Sequence, residues 1–191
     1  QIAEGEFTET SPFAPRSPYA ASKAAGDLLA QSFFTTYGMP VVITRSSNNY
    51  GSHQFPEKVI PLFVTNLLRD KKVPLYGTGK NVRDWLYVKD NCEAIETVLK
   101  KGKNGEAYNI GGNQELANIE LTHKILDEFS IGNEMIQYVE DRKGHDWRYA
   151  LSSKKIEKEL GWKPKTPFEK GIKETIQWYK QNEWWWKPLV K

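Results

Sequence analysis

The chain is poor in several things, and each shortage removes a class of protein. It has one cysteine, Cys92, in 191 residues, so no intrachain disulfide can form and a reducing, cytoplasmic location is expected. Its three histidines, His53, His123 and His145, are scattered without metal-ligand spacing, and no metal is expected. No run of about 18 apolar residues is present, so no membrane-spanning helix is expected. Neither sign of charge dominates: 27 Lys plus Arg stand against 24 Asp plus Glu, for a formal charge of +3. The basic residues form no stripe, so the balance does not point to nucleic acid. There is no internal repeat, no low-complexity linker and no initiator methionine, and the opening "QIAEGEFTETSPFAP" is neither a signal nor a transit peptide. The chain reads as one that begins partway through something longer.

What is present is an alternation of β-branched runs and helical patterns. Pro12, Pro15 and Pro18 keep the first residues irregular. Ser17 is placed as an N-cap and Pro18 as a first helical residue, in a helix that Gly38 stops near Tyr37. The run "VVITR" is expected as a buried strand, "SSNNYGSHQFPEK" as a polar loop, and 59–69 as a helix carrying Val59, Leu62, Phe63 and Leu67 on one side. "VPLYG", "DWLYV", "AYNIGG" and "MIQYVED" follow as strands. Asp90 with Glu93, and Thr166 with Glu169, read as capping boxes, and Asn118 as the N-cap of "IELTHKILDEF". Phe168, Ile172 and Ile176 stripe the last long helix, and "SSKKIEKEL" is a short one ended by Gly161. Cys92 is expected as a small core residue, and Trp184, Trp185 and Trp186 as a tail packed on the domain. This alternation predicts an α/β fold with a mainly parallel sheet. The strands are few for a complete doubly wound sheet, and no glycine-rich phosphate loop follows a first strand.

The stretch "SPYAASKAAGDLL" places Tyr19 and Lys23 one helical turn apart among small residues. An ammonium beside a phenol favours the phenolate, which could remove a proton from a sugar hydroxyl, and the small neighbours leave room for a flat cofactor. A plain surface pair has the same spacing. Two arginines, Arg83 after a glycine turn and Arg142 in "DRKGH", could fork onto phosphate oxygens. Arg83 could equally pair with Asp84 or Asp90, and Asn118 could cap a helix or meet a ligand there.

Taken in order, "SPYAASKAAGDLL", "TRSSNNYG", "FPEKVIPLF", "LYGTGKNVRDWLYVKD", "YNIGG" and "DRKGHDWRYA" resemble the extended short-chain dehydrogenase/reductases, and within them the dTDP-glucose 4,6-dehydratases. The resemblance covers nearly the whole chain and matches the C-terminal half to two-thirds of such an enzyme. It implies an incomplete Rossmann-type sheet: 1–50 and 82–112 would belong to an NAD-binding domain, 51–81 and 113–191 to a smaller α/β substrate domain. It implies NAD as cofactor, a dTDP-sugar as substrate, a homodimer paired through the Tyr19 helix with its Leu28, Phe33 and Phe34, and no membrane or nucleic-acid partner. The implied reaction oxidises C4 of the sugar, eliminates water across C5 and C6, and returns the hydride to C6.

By the same resemblance Tyr19 would be the base, Lys23 would hold the nicotinamide ribose, and Asn49 would lie beside the cofactor. Asn48 would contact substrate, Glu57 and Lys58 would sit near the sugar or nucleotide, and Tyr76 would pack on the thymine. Arg83, Asn118, Arg142, His145 and Tyr149 would surround the diphosphate. The Asp–Glu pair that drives water loss in the family, and the Thr that partners its tyrosine, have no counterpart in these residues, so the chain by itself is expected to be inactive. A UDP-sugar 4-epimerase of the same superfamily and a non-catalytic sugar-nucleotide-binding domain remain as alternatives.

Overall fold

The computed structural model describes residues 2–190. In chain order the elements are α1 (Pro18–Tyr37), β1 (Ile43–Ser46), β2 (Asn48–Tyr50), α2 (Val59–Leu67), β3 (Val73–Tyr76), β4 (Val82–Tyr87), α3 (Val88–Lys101) and β5 (Ala107–Ile110). They continue with β6 (Glu115–Ala117), α4 (Asn118–Phe129), β7 (Ile136–Val139), β8 (Arg148–Tyr149), α5 (Lys154–Leu160), α6 (Phe168–Gln181) and α7 (Glu183–Trp186). Four of the five strand pairings are parallel, and the antiparallel one joins β4 to β6. This is the α/β architecture expected from the alternation of elements.

Strand β4 is the hub. It pairs with β2, β6 and β8, and its side chains alternate between two cores. Trp85 and Tyr87 enter a large cluster with Tyr50, the apolar faces of α2, α4 and α6, and Trp186. Leu86, pointing the other way, joins Ala94 and Val98 of α3, Tyr108 and Ile110 of β5, and Ile156 and Trp162. Gly112 crosses close behind β4: a Cβ there would lie 1.9 Å from the Trp85 carbonyl oxygen, so only glycine fits.

Helix α1 begins and ends as its sequence predicts. The Ser17 hydroxyl accepts from the Ala20 N–H at 3.1 Å, and Gly38 closes the helix in the left-handed region. None of its residues is fully buried. Ala20, Ala24, Asp27, Ala30 and Phe34 are half-buried, while Leu28, Leu29, Phe33 and Tyr37 are exposed.

Several local expectations are corrected. Asn48–Tyr50, read as loop, is a strand in register with Trp85–Tyr87; the pairing partner lies far away in sequence and outweighs asparagine's low β-propensity. Neither capping box forms. Helix α3 starts directly from β4 at Val88, and Asp90 turns its carboxylate to the backbone N–H groups of Lys165 and Thr166 (3.0 and 2.8 Å) and to the Thr166 hydroxyl (3.0 Å). Glu93 pairs with Lys165 at 2.7 Å. That commitment removes Thr166 from α6, whose first N–H donates to the Gln114 side-chain oxygen, while Glu169 pairs with Lys124 at 2.9 Å. Asn118 is the first residue of α4 rather than its cap; Ala117 holds the cap position, and Glu120 reaches back to the Ala117 N–H at 2.8 Å. Cys92 is exposed, not a core residue. The tryptophan tail is divided: Trp186 is fully buried and donates to the Tyr179 carbonyl at 2.7 Å, whereas Trp184 is 73% exposed.

Candidate functional site

A cleft of about 690 Å³ opens at the carboxyl ends of β1 and β3, along the first residues of β2 and β4, and over the neighbouring loops. In open parallel α/β sheets this is where ligands bind. It gathers residues from seven places in the chain: Tyr19 from α1, Asn48 and Asn49 from β2, Glu57 and Lys58 before α2, Tyr76 from β3, Arg83 from β4, Asn118 from α4, and Arg142, His145 and Tyr149 from the segment around β8. Of the residues singled out in the sequence, Lys23 alone is not in the lining; it is exposed one turn along α1 from Tyr19. The Tyr19 ring is 75% exposed, and its hydroxyl has no hydrogen-bond partner among the described residues. Glu57 and Lys58 pair with each other at 2.8 Å, both facing solvent.

Arg83 is nearly buried but pairs with neither Asp84 nor Asp90. Its Nη1 donates to the Val82 carbonyl at 2.7 Å and its Nη2 to the Asp146 carbonyl at 2.8 Å. The guanidinium lies 4.6 Å from the centroid of the Tyr149 ring. Asp84, on the opposite face of β4, accepts instead from the N–H groups of Gly112 and Gln114, both at 2.8 Å. Burial raises the Asp84 carboxyl above its ordinary value, and those two N–H groups oppose the rise.

Burial lowers the Arg83 guanidinium from its ordinary value; Tyr149 and Asp146 oppose this, and Arg142 adds to it. Two guanidinium groups, those of Arg83 and Arg142, thus line the same cleft. Burial also raises Tyr149, with Arg83 and Asn48 pulling the other way, so its neutral hydroxyl donates to Asn48 Oδ1 at 2.5 Å. That bond occupies the acceptor of the Asn48 amide and leaves its two N–H donors for a ligand.

The structure adds residues that sequence reading missed. Gln54 and Trp85 line the cleft, and the polar atoms Asn49 Oδ1, Gln54 Oε1 and Trp85 Nε1 are buried without a hydrogen-bond partner. Such atoms are costly to leave unpaired, which marks a surface built to meet a polar ligand. Trp85 was detectable as the residue two beyond Arg83 on the same strand face. Gln54 carried no sequence signal, because its place depends on a bond from its Nε2 back to the Asn49 carbonyl. Among the described residues no cluster of His, Cys, Asp or Glu could hold a metal, and no helix is long and apolar enough to cross a membrane.

The chain is similar to known proteins along nearly its whole length. Residues 1–175 match a family model described as GDP-mannose 4,6 dehydratase. The chain is 53% identical over 190 residues to a dTDP-glucose 4,6-dehydratase of Streptomyces antibioticus, covering all of this chain and 57% of that one. It superimposes on a dTDP-glucose 4,6-dehydratase of Streptomyces venezuelae, crystallised with NAD, at a TM-score of 0.97 and 52% identity, over 99% of this chain and 59% of that one. A UDP-glucose 4-epimerase of Thermotoga maritima, crystallised with UDP-glucose, gives a TM-score of 0.90 at 29% identity, over 96% of this chain and 60% of that one. The chain thus spans little more than half the length of the proteins it matches.

Proposed function

The chain belongs to the GDP-mannose 4,6 dehydratase family, and from that premise we propose that the protein carrying it is an NAD-dependent dTDP-glucose 4,6-dehydratase, a hydro-lyase forming dTDP-4-keto-6-deoxyglucose. One observation carries the reading: two guanidinium groups, Arg83 and Arg142, line one cleft with an exposed, unpartnered tyrosine. A diphosphate offers both guanidinium groups a counter-charge, and a sugar hydroxyl suits the tyrosine.

The residues fit the cofactor. Asn49 Oδ1 is a buried acceptor without a donor, of the kind a carboxamide satisfies, and Tyr19 lines the same cleft, with Lys23 one turn along α1. When bound, NAD would supply the hydride acceptor and, later, the donor. Tyr19 would take the proton of the glucose 4-hydroxyl, with Lys23 holding the ribose. Arg83 and Arg142 would clamp the diphosphate, with Asn118, His145 and Tyr149 around it. Asn48, Glu57 and Lys58 would orient the sugar, and Tyr76 would pack on the thymine.

On this reading 1–50 and 82–112 serve the dinucleotide and 51–81 and 113–191 the sugar nucleotide. The smaller apolar cluster supports the division, since five of its seven buried members come from 82–112. The exposed Leu28, Leu29, Phe33 and Tyr37 on α1 support a homodimer, which sedimentation of the full-length protein at micromolar concentration tests. The single free thiol suits a cytoplasmic location.

The epimerase reading is less favoured because identity falls from 52% to 29% between the two kinds of relative. The deciding experiment incubates the full-length protein with NAD and dTDP-glucose. Appearance of the 4-keto-6-deoxy product supports the dehydratase. A 4-epimer with no keto product, or no conversion at all, overturns it.

A further inference from the structure

The segment between β7 and β8 carries a chain of three side chains, of which only two reach the cleft. Arg142 Nη2 lies 3.2 Å from His145 Nε2, and His145 Nδ1 lies 2.6 Å from Asp141 Oδ1. A guanidinium can only donate, so Nε2 accepts and the ring proton sits on Nδ1, which donates to Asp141. The His145 side chain is 6% exposed. The same Asp141 oxygen accepts the Arg142 N–H at 2.8 Å, so one carboxylate holds both the backbone of Arg142 and, through the imidazole, its head group. The Arg142 guanidinium also stands 5.0 Å from the centroid of the Tyr76 ring.

Asp141 does not line the cleft. Its side chain rests on Gly77, where an added Cβ would lie 3.0 Å from Asp141 Oδ2, just past the Tyr76 that Arg142 covers. Its bond to His145 and its bond to the Arg142 N–H hold its carboxyl below the usual range, so it stays an anionic acceptor at neutral pH. We infer that Asp141 is a positioning residue for anion recognition: through His145 it fixes the Arg142 guanidinium over Tyr76, facing the diphosphate of a sugar nucleotide. An arginine left free loses rotamer entropy each time it engages a phosphate; one already held loses less. The inference rests on the reading of the cleft as a diphosphate site.

The test is calorimetric titration of the full-length protein with dTDP. Asp141→Ala is expected to weaken dTDP by about tenfold, the scale of one charge-assisted hydrogen bond. Arg142→Ala is expected to weaken it at least as much, and adding Asp141→Ala to Arg142→Ala should cost little more, because both act through one group. Asp141→Asn keeps an acceptor for His145, leaves the loop backbone in place, and should recover most of the affinity. A loop brace with no positioning role would give additive losses in the double variant, or no recovery with asparagine, and either result overturns the inference. Wild-type affinity in Asp141→Ala overturns it as well. Unchanged affinity in Arg142→Ala instead shows that the diphosphate is not read by Arg142, which removes the underlying assignment and this one with it.

Discussion

Replacing Arg83 by lysine keeps the positive charge and removes the planar fork. The guanidinium has five N–H donors; its Nη1 serves the Val82 carbonyl at 2.7 Å and, at 3.4 Å, the Trp147 carbonyl, and its Nη2 serves the Asp146 carbonyl at 2.8 Å. Two donors remain for a ligand, and the flat face lies on Tyr149. An ammonium has three donors in all. If it keeps the Val82 and Asp146 carbonyls, a single donor is left for the ligand; if it reaches for the ligand, the Asp146 carbonyl keeps only the Asn81 side-chain N–H at 3.0 Å. The loss for dTDP is then one charge-assisted bond, about 1.5–3 kcal/mol, or roughly ten- to 150-fold in affinity. One weakened carbonyl bond, at about 1 kcal/mol, lowers the melting temperature of a domain this size by about 2–4 °C. Calorimetric titration of the full-length Arg83→Lys protein with dTDP measures the first, and a thermal melt the second. NAD affinity should not move. Wild-type dTDP affinity in the lysine variant would refute the reasoning, because it would show that charge alone, without the fork, suffices at this position.

Tyr19→Phe should lower the rate of sugar oxidation by about 10²- to 10⁴-fold with dTDP affinity unchanged, since the exposed hydroxyl makes no protein bond to lose; a near-normal rate in single-turnover assays would exclude it as the base. Trp186→Ala should destabilise by about 3–5 kcal/mol, whereas Trp184→Ala, mostly exposed, should stay within about 0.5 kcal/mol in urea titrations. Asp84 carries a pH signature. Its folded value is raised, so its contribution to stability is fully present below the unfolded carboxylate range and falls as pH rises through the folded value. The stability gap between wild type and Asp84→Asn should therefore be wider near pH 3.5 than near pH 7 in urea titrations, both pH values being rough brackets of the carboxylate range; a gap that widens with rising pH would contradict the raised value.

The parts of this fold that were legible in the sequence are those fixed by neighbours in the chain. Ser17, Pro18 and Gly38 bound α1 because a cap acts over three or four residues, and the stripe of Phe168, Ile172 and Ile176 marks the buried side of α6 for the same reason. Local signals failed where a distant partner claimed the group. Asp90 and Thr166 each look like caps, yet they bond to each other across 76 positions. Asn48 and Asn49 look like loop until β4 offers them a ladder. At the site, the arginines and tyrosines announced themselves by charge and by motif. Gln54 and Asp141 did not, because one depends on a bond to the Asn49 backbone and the other acts through His145.

The alternation along β4 also guards the site during folding. Arg83 points to the cleft, and Asp84 to the amides of Gly112 and Gln114 behind the sheet. A pairing error of one residue would exchange them. An acid would then stand among the groups meant for an anion, and a guanidinium would face two N–H donors that need an acceptor. Both errors arise from the same slip: the acid would take the place of the anionic ligand, and the guanidinium would be buried against donors with no acceptor. The two adjacent residues thus act as a parity check: a one-residue slip of β4 costs a buried guanidinium without acceptors as well as a miswired cleft.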